Sequence, residues 1–247
     1  CALLFEAMSG VKLGKIDASV QGVRLGVPER LWGDLAPEVE RCMNAAVATL
    51  HQLGAKVFAV NLESATHGTP ASWAISYHEA FLEHREQLMN RGGDYTPMFY
   101  NKISAAGTLT PEELEAARRI TQRIAQEFEQ ALSQVDAIVL PATPKGAYPL
   151  GAQHAQLDGS AFTRPVSLAG IPGLTVPWGF TLDGLPLGMQ LVGRAGDEAR
   201  LFAIAAKYEA STTWHASMPS LTCAPIMTSI EPIRRALYEE GSVPTRL

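Results

Sequence analysis

Apolar residues recur along this chain in two rhythms. From Pro37 to Gly54, Val39, Met43, Ala46, Leu50 and Leu53 fall on one helical stripe, with Pro37 suited to the first helical position and Gly54 to the residue just past the end. Short apolar runs flank this helix: "VRLGV", closed by Pro28, and "AKVFAVNL". Strand, helix, strand in so few residues is a crossover unit and predicts a parallel pair in an α/β sheet. A further helix is predicted from Pro70 to near Asn90, ending at Gly92-Gly93, and then a loop rich in Tyr, Pro and Asn. "TPEELEAARRITQRIAQEFEQALSQ" is the best-marked helix: Thr110 caps it, Pro111 fills its first position and Glu113 completes a capping box. Leu114, Ala117, Ile124, Phe128 and Ala131 form its apolar side, and it leads into a buried strand, "VDAIVLPAT".

"GLTVPWGF" and "LPLGMQLVG" read as two strands joined by "TLDG", a connection short enough for an antiparallel hairpin. The next helix starts near Asp197 and turns Leu201, Ile204, Ala205 and Tyr208 inward. After Trp214 the chain is rich in Pro, Ser and Thr until a short helix at "EPIRRALYEE". At the other end, "CALLFEAM" has the look of the last turns of a buried helix that stops at Gly10, with no capping residue before it.

Composition narrows the function classes. The chain has 247 residues, 47% of them hydrophobic and 18% charged, with a net charge of −5. This argues for a substantial core and against disorder. No basic block points to nucleic acid; Arg118, Arg119 and Arg123 lie among glutamates on a helix face. No apolar run reaches the roughly 20 residues that cross a bilayer, so no membrane partner is expected. Cys1, Cys42 and Cys223 are few, distant and odd in number, which fits a reducing cytoplasm rather than a disulfide framework.

Candidate chemistry is thin. In "HEAFLEH" the histidines His78 and His84 stand six residues apart, about 240° around a helix, so they do not share the face a zinc motif requires. Neither Ser9 nor Ser160 lies in a G-x-S-x-G elbow, and His154 and His215 have no partner nearby in sequence. Cys42 falls within a helix, as a small buried residue would. From Gly170 to Gly193 there is no His, Lys, Arg, Cys or Glu, although that stretch is heavily punctuated by Gly and Pro. The residues alone give an α/β domain with no self-contained catalytic constellation and no metal site.

Four motifs in order change that picture. "DAIVLPATP" supplies Pro141, Thr143 and Pro144; "FTRPVSLAGIPG" supplies Thr163, Pro165, Ala169, Gly170 and Pro172; "DGLPLGMQLVG" supplies Gly184, Leu185, Pro186, Gly188 and Gln190; Asp197-Glu198 opens the next helix. In this order they resemble the second half of amidase-signature enzymes, and the match runs in register from Cys1 to about Trp214. The resemblance implies an α/β fold, a mixed β-sheet with helices packed on both faces. It implies residues 1–215 as the C-terminal part of an amidase domain and 216–247 as an extension.

It also implies hydrolysis of a carboxylic amide to an acid and ammonia or an amine. The means are a nucleophilic Ser, a bridging Ser in a cis peptide and a Lys, with backbone amides holding the oxyanion and no cofactor. The Gly/Ser-rich segment that carries those three groups has no counterpart here, so no residue of this chain is assigned a catalytic role. The chain is expected to be inactive alone, and to be soluble only with the N-terminal half of such an amidase, in the same polypeptide or as a separate chain. The other expected partners are a small-molecule amide and a second copy in a homodimer.

By the same resemblance, residues 167–193 form central strands and one wall of the acyl pocket. The pocket-side residues are then Thr143, Pro144, Ser167, Gly170, Ile171 and Trp178. Ser167 replaces the family's usual Asn. Gly170 is expected where backbone or substrate passes closely, and Lys102 lies near a position that is basic in relatives acting on charged amides. Two rival readings stay open. One is the glutaminase subunit of a tRNA-dependent amidotransferase, against which Ser160 stands where such subunits tend to carry an acidic residue. The other is a non-catalytic fragment or binding module of amidase ancestry.

Overall fold

A computed structural model describes residues 1–14, 16, 19–149 and 159–218. The predicted helix at "EPIRRALYEE", Cys223 and His154 lie outside the described residues.

The sheet has five strands, β1 (Arg24–Pro28), β2 (Lys56–Val60), β3 (Ala137–Pro141), β4 (Gly173–Phe180) and β5 (Pro186–Val192), in the order β2-β1-β3-β5-β4. The predicted parallel pair is present: β1 runs parallel to β2 and also to β3. The predicted hairpin is present too, β4 antiparallel to β5, while β5 runs antiparallel to β3. The sheet is therefore mixed. β4 is an edge strand here rather than a central one, because β5 separates it from β3.

Helix α2 (Pro37–Gln52) begins at Pro37, and Leu53 and Gly54 close it. Its buried residues Val39, Met43, Ala46 and Leu50 pack with Val176, Trp178, Leu187, Met189 and Leu191 on one face of the sheet. Helix α7 (Glu198–Ala210) covers the same face with Leu201, Ile204, Ala205 and Tyr208, the four residues its periodicity selects. The approach is close. A Cβ on Gly179 would meet Cys42 Sγ at 2.6 Å, so only glycine lets α2 settle onto β4.

The opposite face is covered by α5 (Pro111–Gln134) and α6 (Thr163–Ala169), with Ile124, Phe128, Leu132, Phe162 and Val166 against Ile138, Leu140 and Val192. Both halves of the α5 capping box form: Thr110 Oγ1 accepts from the Glu113 N–H at 3.2 Å, and Glu113 Oε2 accepts from the Thr110 N–H at 2.8 Å. Helix α3 (Gly68–Arg91) packs outside α5 and α6, and α4 (Pro97–Ala106) packs against α3. β3 lies between the two layers and is buried along its whole length.

Three sequence expectations need correction. Residues 97–106 form a helix rather than a loop; Thr96 precedes Pro97 there as an extended N-cap before Pro in the first turn. The stretch from Ser167, expected to belong to the central strands, begins instead in α6 (Thr163–Ala169), with Pro165 in the first turn, where proline is tolerated. Helix α1 (Ala2–Ser9) ends at Gly10 as expected, but it buries no residue. Leu3 and Met8 are 83% and 79% exposed, and its aromatic contact is Phe5 with Phe202 of α7, 6.0 Å between ring centres.

Candidate functional site

The strand register determines which side chains can meet. Leu140 stands beside Gln190 and Gln190 beside Thr175; one row on, the Ala142 N–H donates to the Gly188 carbonyl at 2.9 Å and Gly188 pairs with Pro177. Alternation along the strands puts these residues on the α6 side. Apart from Leu140, which is buried in the core, they are small or polar. A Cβ on Gly188 would come within 2.7 Å of Thr175 Cγ2 and 3.5 Å of Ala142 Cβ, so glycine here keeps the floor flat. Thr175 is exposed, and buried Gln190 donates from Nε2 to the Phe162 carbonyl at 3.3 Å, tying the floor to the start of α6. The result is a partly open shelf between α6, the end of β3 and the β4 edge.

Five of the six predicted residues lie on the segments around this shelf, after β3, on α6 or just past it. Thr143 and Pro144 follow β3. Thr143 Oγ1 donates to the Lys145 carbonyl at 2.7 Å, and the Pro144 carbonyl accepts from the Ala36 N–H at 2.9 Å, anchoring the turn to the start of α2. Ser167 is exposed on α6, its Oγ donating to the Thr163 carbonyl at 3.2 Å. Gly170 ends α6 in the left-handed region, φ 67°, and Ile171 packs beside it against the α5/α6 cluster.

Two expectations change. Trp178 is 1% exposed and lies in the core on the α2/α7 face, because it alternates with Pro177; it is not on the shelf side. Nothing in the described residues approaches within 4 Å of a Cβ on Gly170, so its glycine answers to backbone conformation rather than to a close approach. Close approach is the role of Gly188 and Gly179 instead. Sequence reading left Thr175 and Gln190 out of the site; strict alternation across the hairpin was the signal that selects them.

Several polar groups away from the shelf have structural partners. His78 Nδ1 lies 3.0 Å from the Ala106 carbonyl and His84 Nδ1 lies 3.0 Å from the Tyr95 hydroxyl. No group of three or more His, Cys, Asp or Glu among the described residues is placed to hold a metal ion. At the far end of the sheet, Asp136 accepts from the Arg24 backbone N–H at 2.8 Å and forms ion pairs with Arg24 at 3.0 Å and Arg200 at 3.3 Å. Arg194 donates to the Leu132 and Val135 carbonyls at the end of α5 and pairs with Asp197 at 3.1 Å. The Arg24 side chain, foremost, holds the Asp136 carboxyl below its ordinary range. Burial raises the Tyr208 phenol above its own.

A cavity of about 700 Å³ opens at the carboxyl ends of β1 and β2, lined by residues including Glu29, Trp32, Asp34, Asn61 and Glu63. Strand ends of this kind often bind ligands, but the lining has no nucleophile beside a base, and none of the six predicted residues reaches it. No helix among the described residues is long and apolar enough to cross a membrane.

Comparison with known proteins supplies what the geometry leaves open. The family model described as Amidase matches residues 14–202. The A-type subunit of glutamyl-tRNA(Gln) amidotransferase from Roseiflexus sp. (strain RS-1) is 30% identical over 236 residues, covering 83% of this chain and 48% of its own. The protein of the same name from Thermosynechococcus vestitus is 32% identical, covering 82% and 48%. Among solved structures, one described as an amidase superposes with a TM-score of 0.77 at 27% identity, over 85% of this chain and 50% of its own. The A-type glutamyl-tRNA(Gln) amidotransferase subunit from Thermotoga maritima superposes with a TM-score of 0.69 at 27% identity, over 81% and 44%. The chain spans about half the length of the curated relatives it matches. Its sheet order, its four motifs and this match over residues 14–202 agree: the chain belongs to the amidase family, the amidase-signature enzymes.

Proposed function

We propose that this chain forms the sheet core and one pocket wall of an amidase that hydrolyses a small carboxylic amide. The nucleophilic Ser, bridging Ser and Lys are supplied by sequence outside residues 1–247. The shelf of Ala142, Thr175, Gly188 and Gln190, bordered by Thr143, Ser167 and Gly170, carries this reading. It is lined by small and uncharged residues and carries no ionisable side chain, which suits a wall against which an acyl group rests. The test is to assay amide hydrolysis by the chain alone and together with a half bearing the nucleophile. The expected result is no turnover alone and turnover together; turnover by the pure chain alone overturns the proposal.

A second reading is favoured by the names of the curated relatives, which are A-type amidotransferase subunits. Under it the amide is glutamine and the ammonia passes to a partner protein. Ser160 counts against this reading: its hydroxyl accepts from Arg164 Nε at 2.6 Å and offers no charge to grip an ammonium group. Turnover of simple amides by the chain together with its nucleophile-bearing half, and with no further partner protein, separates the two.

A further inference from the structure

Arg164 is the second residue of α6, three positions before Ser167, so the two are neighbours on the helix surface. Its guanidinium is half-buried and has unusual company. Nε donates to Ser160 Oγ at 2.6 Å, Nη1 donates to Ser72 Oγ at 3.3 Å, and the group lies 5.5 Å from the ring centre of Trp73. Ser72 is buried, and Trp73 Nε1 is buried with no acceptor. Among the described residues no carboxylate pairs with Arg164. The contrast is with Arg24, Arg194 and Arg200, which share Asp136 and Asp197 although each of them is partly exposed to solvent. Serine hydroxyls orient a guanidinium but do not neutralise it. A guanidinium has five N–H donors in a rigid fork, so donors remain beyond the two held by the serines. Trp73 and Tyr77 lie one helical turn apart with ring centres 6.4 Å apart, extending the aromatic surface along α3. The α3/α6 junction therefore sets the charge and spare N–H donors of Arg164 on an aromatic ledge, one helical turn from Ser167.

We propose that this junction is an anion subsite, in which Arg164 receives a carboxylate carried by the amide substrate, remote from the bond that is cleaved. The proposal rests on the amidase reading and deepens it: the substrate class is an amide with a distal carboxylate. The fork of Arg164 matches the two oxygens of a carboxylate. Ser160 and Ser72 hold it in place, and Trp73 supports its apolar face.

The test compares glutarate with valerate, which share a chain length and differ in the second carboxylate, binding to the chain assembled with its nucleophile-bearing half and followed by calorimetry. Glutarate is expected to bind about tenfold or more tightly than valerate, as a charge-assisted contact provides. Arg164→Met should remove that preference, and Arg164→Lys should keep part of it. A preference that is absent, or unchanged in both variants, overturns the subsite. Thermal unfolding reports whether each variant folds; if Arg164→Met does not, an undiminished preference in Arg164→Lys overturns the proposal by itself. Turnover of glutaramate against valeramide addresses the amidase reading separately. If neither amide is hydrolysed while glutarate binding still depends on Arg164, the amidase reading fails and the anion subsite stands.

Discussion

The two faces of the sheet carry the same hairpin but do different work. On the α2/α7 face, Val176, Trp178, Leu187, Met189 and Leu191 are closed over by two helices. On the α6 face the same strands present Thr175, Pro177, Gly188 and Gln190, only partly covered. One residue of displacement along a strand exchanges core for surface. Thus one hairpin can close an apolar face into the core and leave a face of small and polar residues partly open.

The largest expected effect lies on the closed face. Trp178→Ala should destabilise the protein by about 3–5 kcal/mol, the usual range for deleting a buried aromatic ring. Denaturant unfolding measures this. If stability is preserved and only turnover falls, the assignment of faces is wrong.

Next comes the ionic cluster that ties β1, β3 and α7 together. The Asp136 carboxyl is held low chiefly by the hydrogen bond from Arg24. Its contribution is complete above the unfolded carboxyl value, near 4, and is lost as pH falls through the lower folded value. Asp136→Asn should lower stability at neutral pH by about 2 kcal/mol and flatten the acid limb of the stability profile. An acid limb identical to that of the unsubstituted protein would refute this.

Smaller effects sharpen the open face. Gly170→Ala should lower stability by about 1 kcal/mol because a left-handed residue gains a Cβ, while Gly170→Asn should lower it less. Equal losses would favour a close approach after all, from a segment outside the described residues. Ser167→Ala should change stability by less than about 0.5 kcal/mol and act, if at all, on KM. A large drop in melting temperature would make Ser167 structural.

Local signals settled much of this protein in advance. The Thr110–Glu113 box, the Pro37 start and Gly54 end of α2, and the inward face of α7 are decided by neighbours within a few residues, so the sequence determines them. The parallel β1–β2 pair and the β4–β5 hairpin follow from the lengths of their connections. α4 and α6 were harder to read because each is short, 10 and 7 residues, too few turns for an apolar stripe to stand out; at Thr96-Pro97 the start signal was nonetheless present. Other features had no local signal. That Trp178 belongs to the core and Thr175 to the shelf depends on which layer covers which face. That β4 is an edge strand depends on β5 inserting beside β3. That Arg164 meets Ser72 and Trp73 depends on α3 docking against α6, about ninety residues away along the chain. Short-range hydrogen bonding and helical periodicity are written in the chain itself, whereas the company a side chain keeps across layers exists only once the layers have packed.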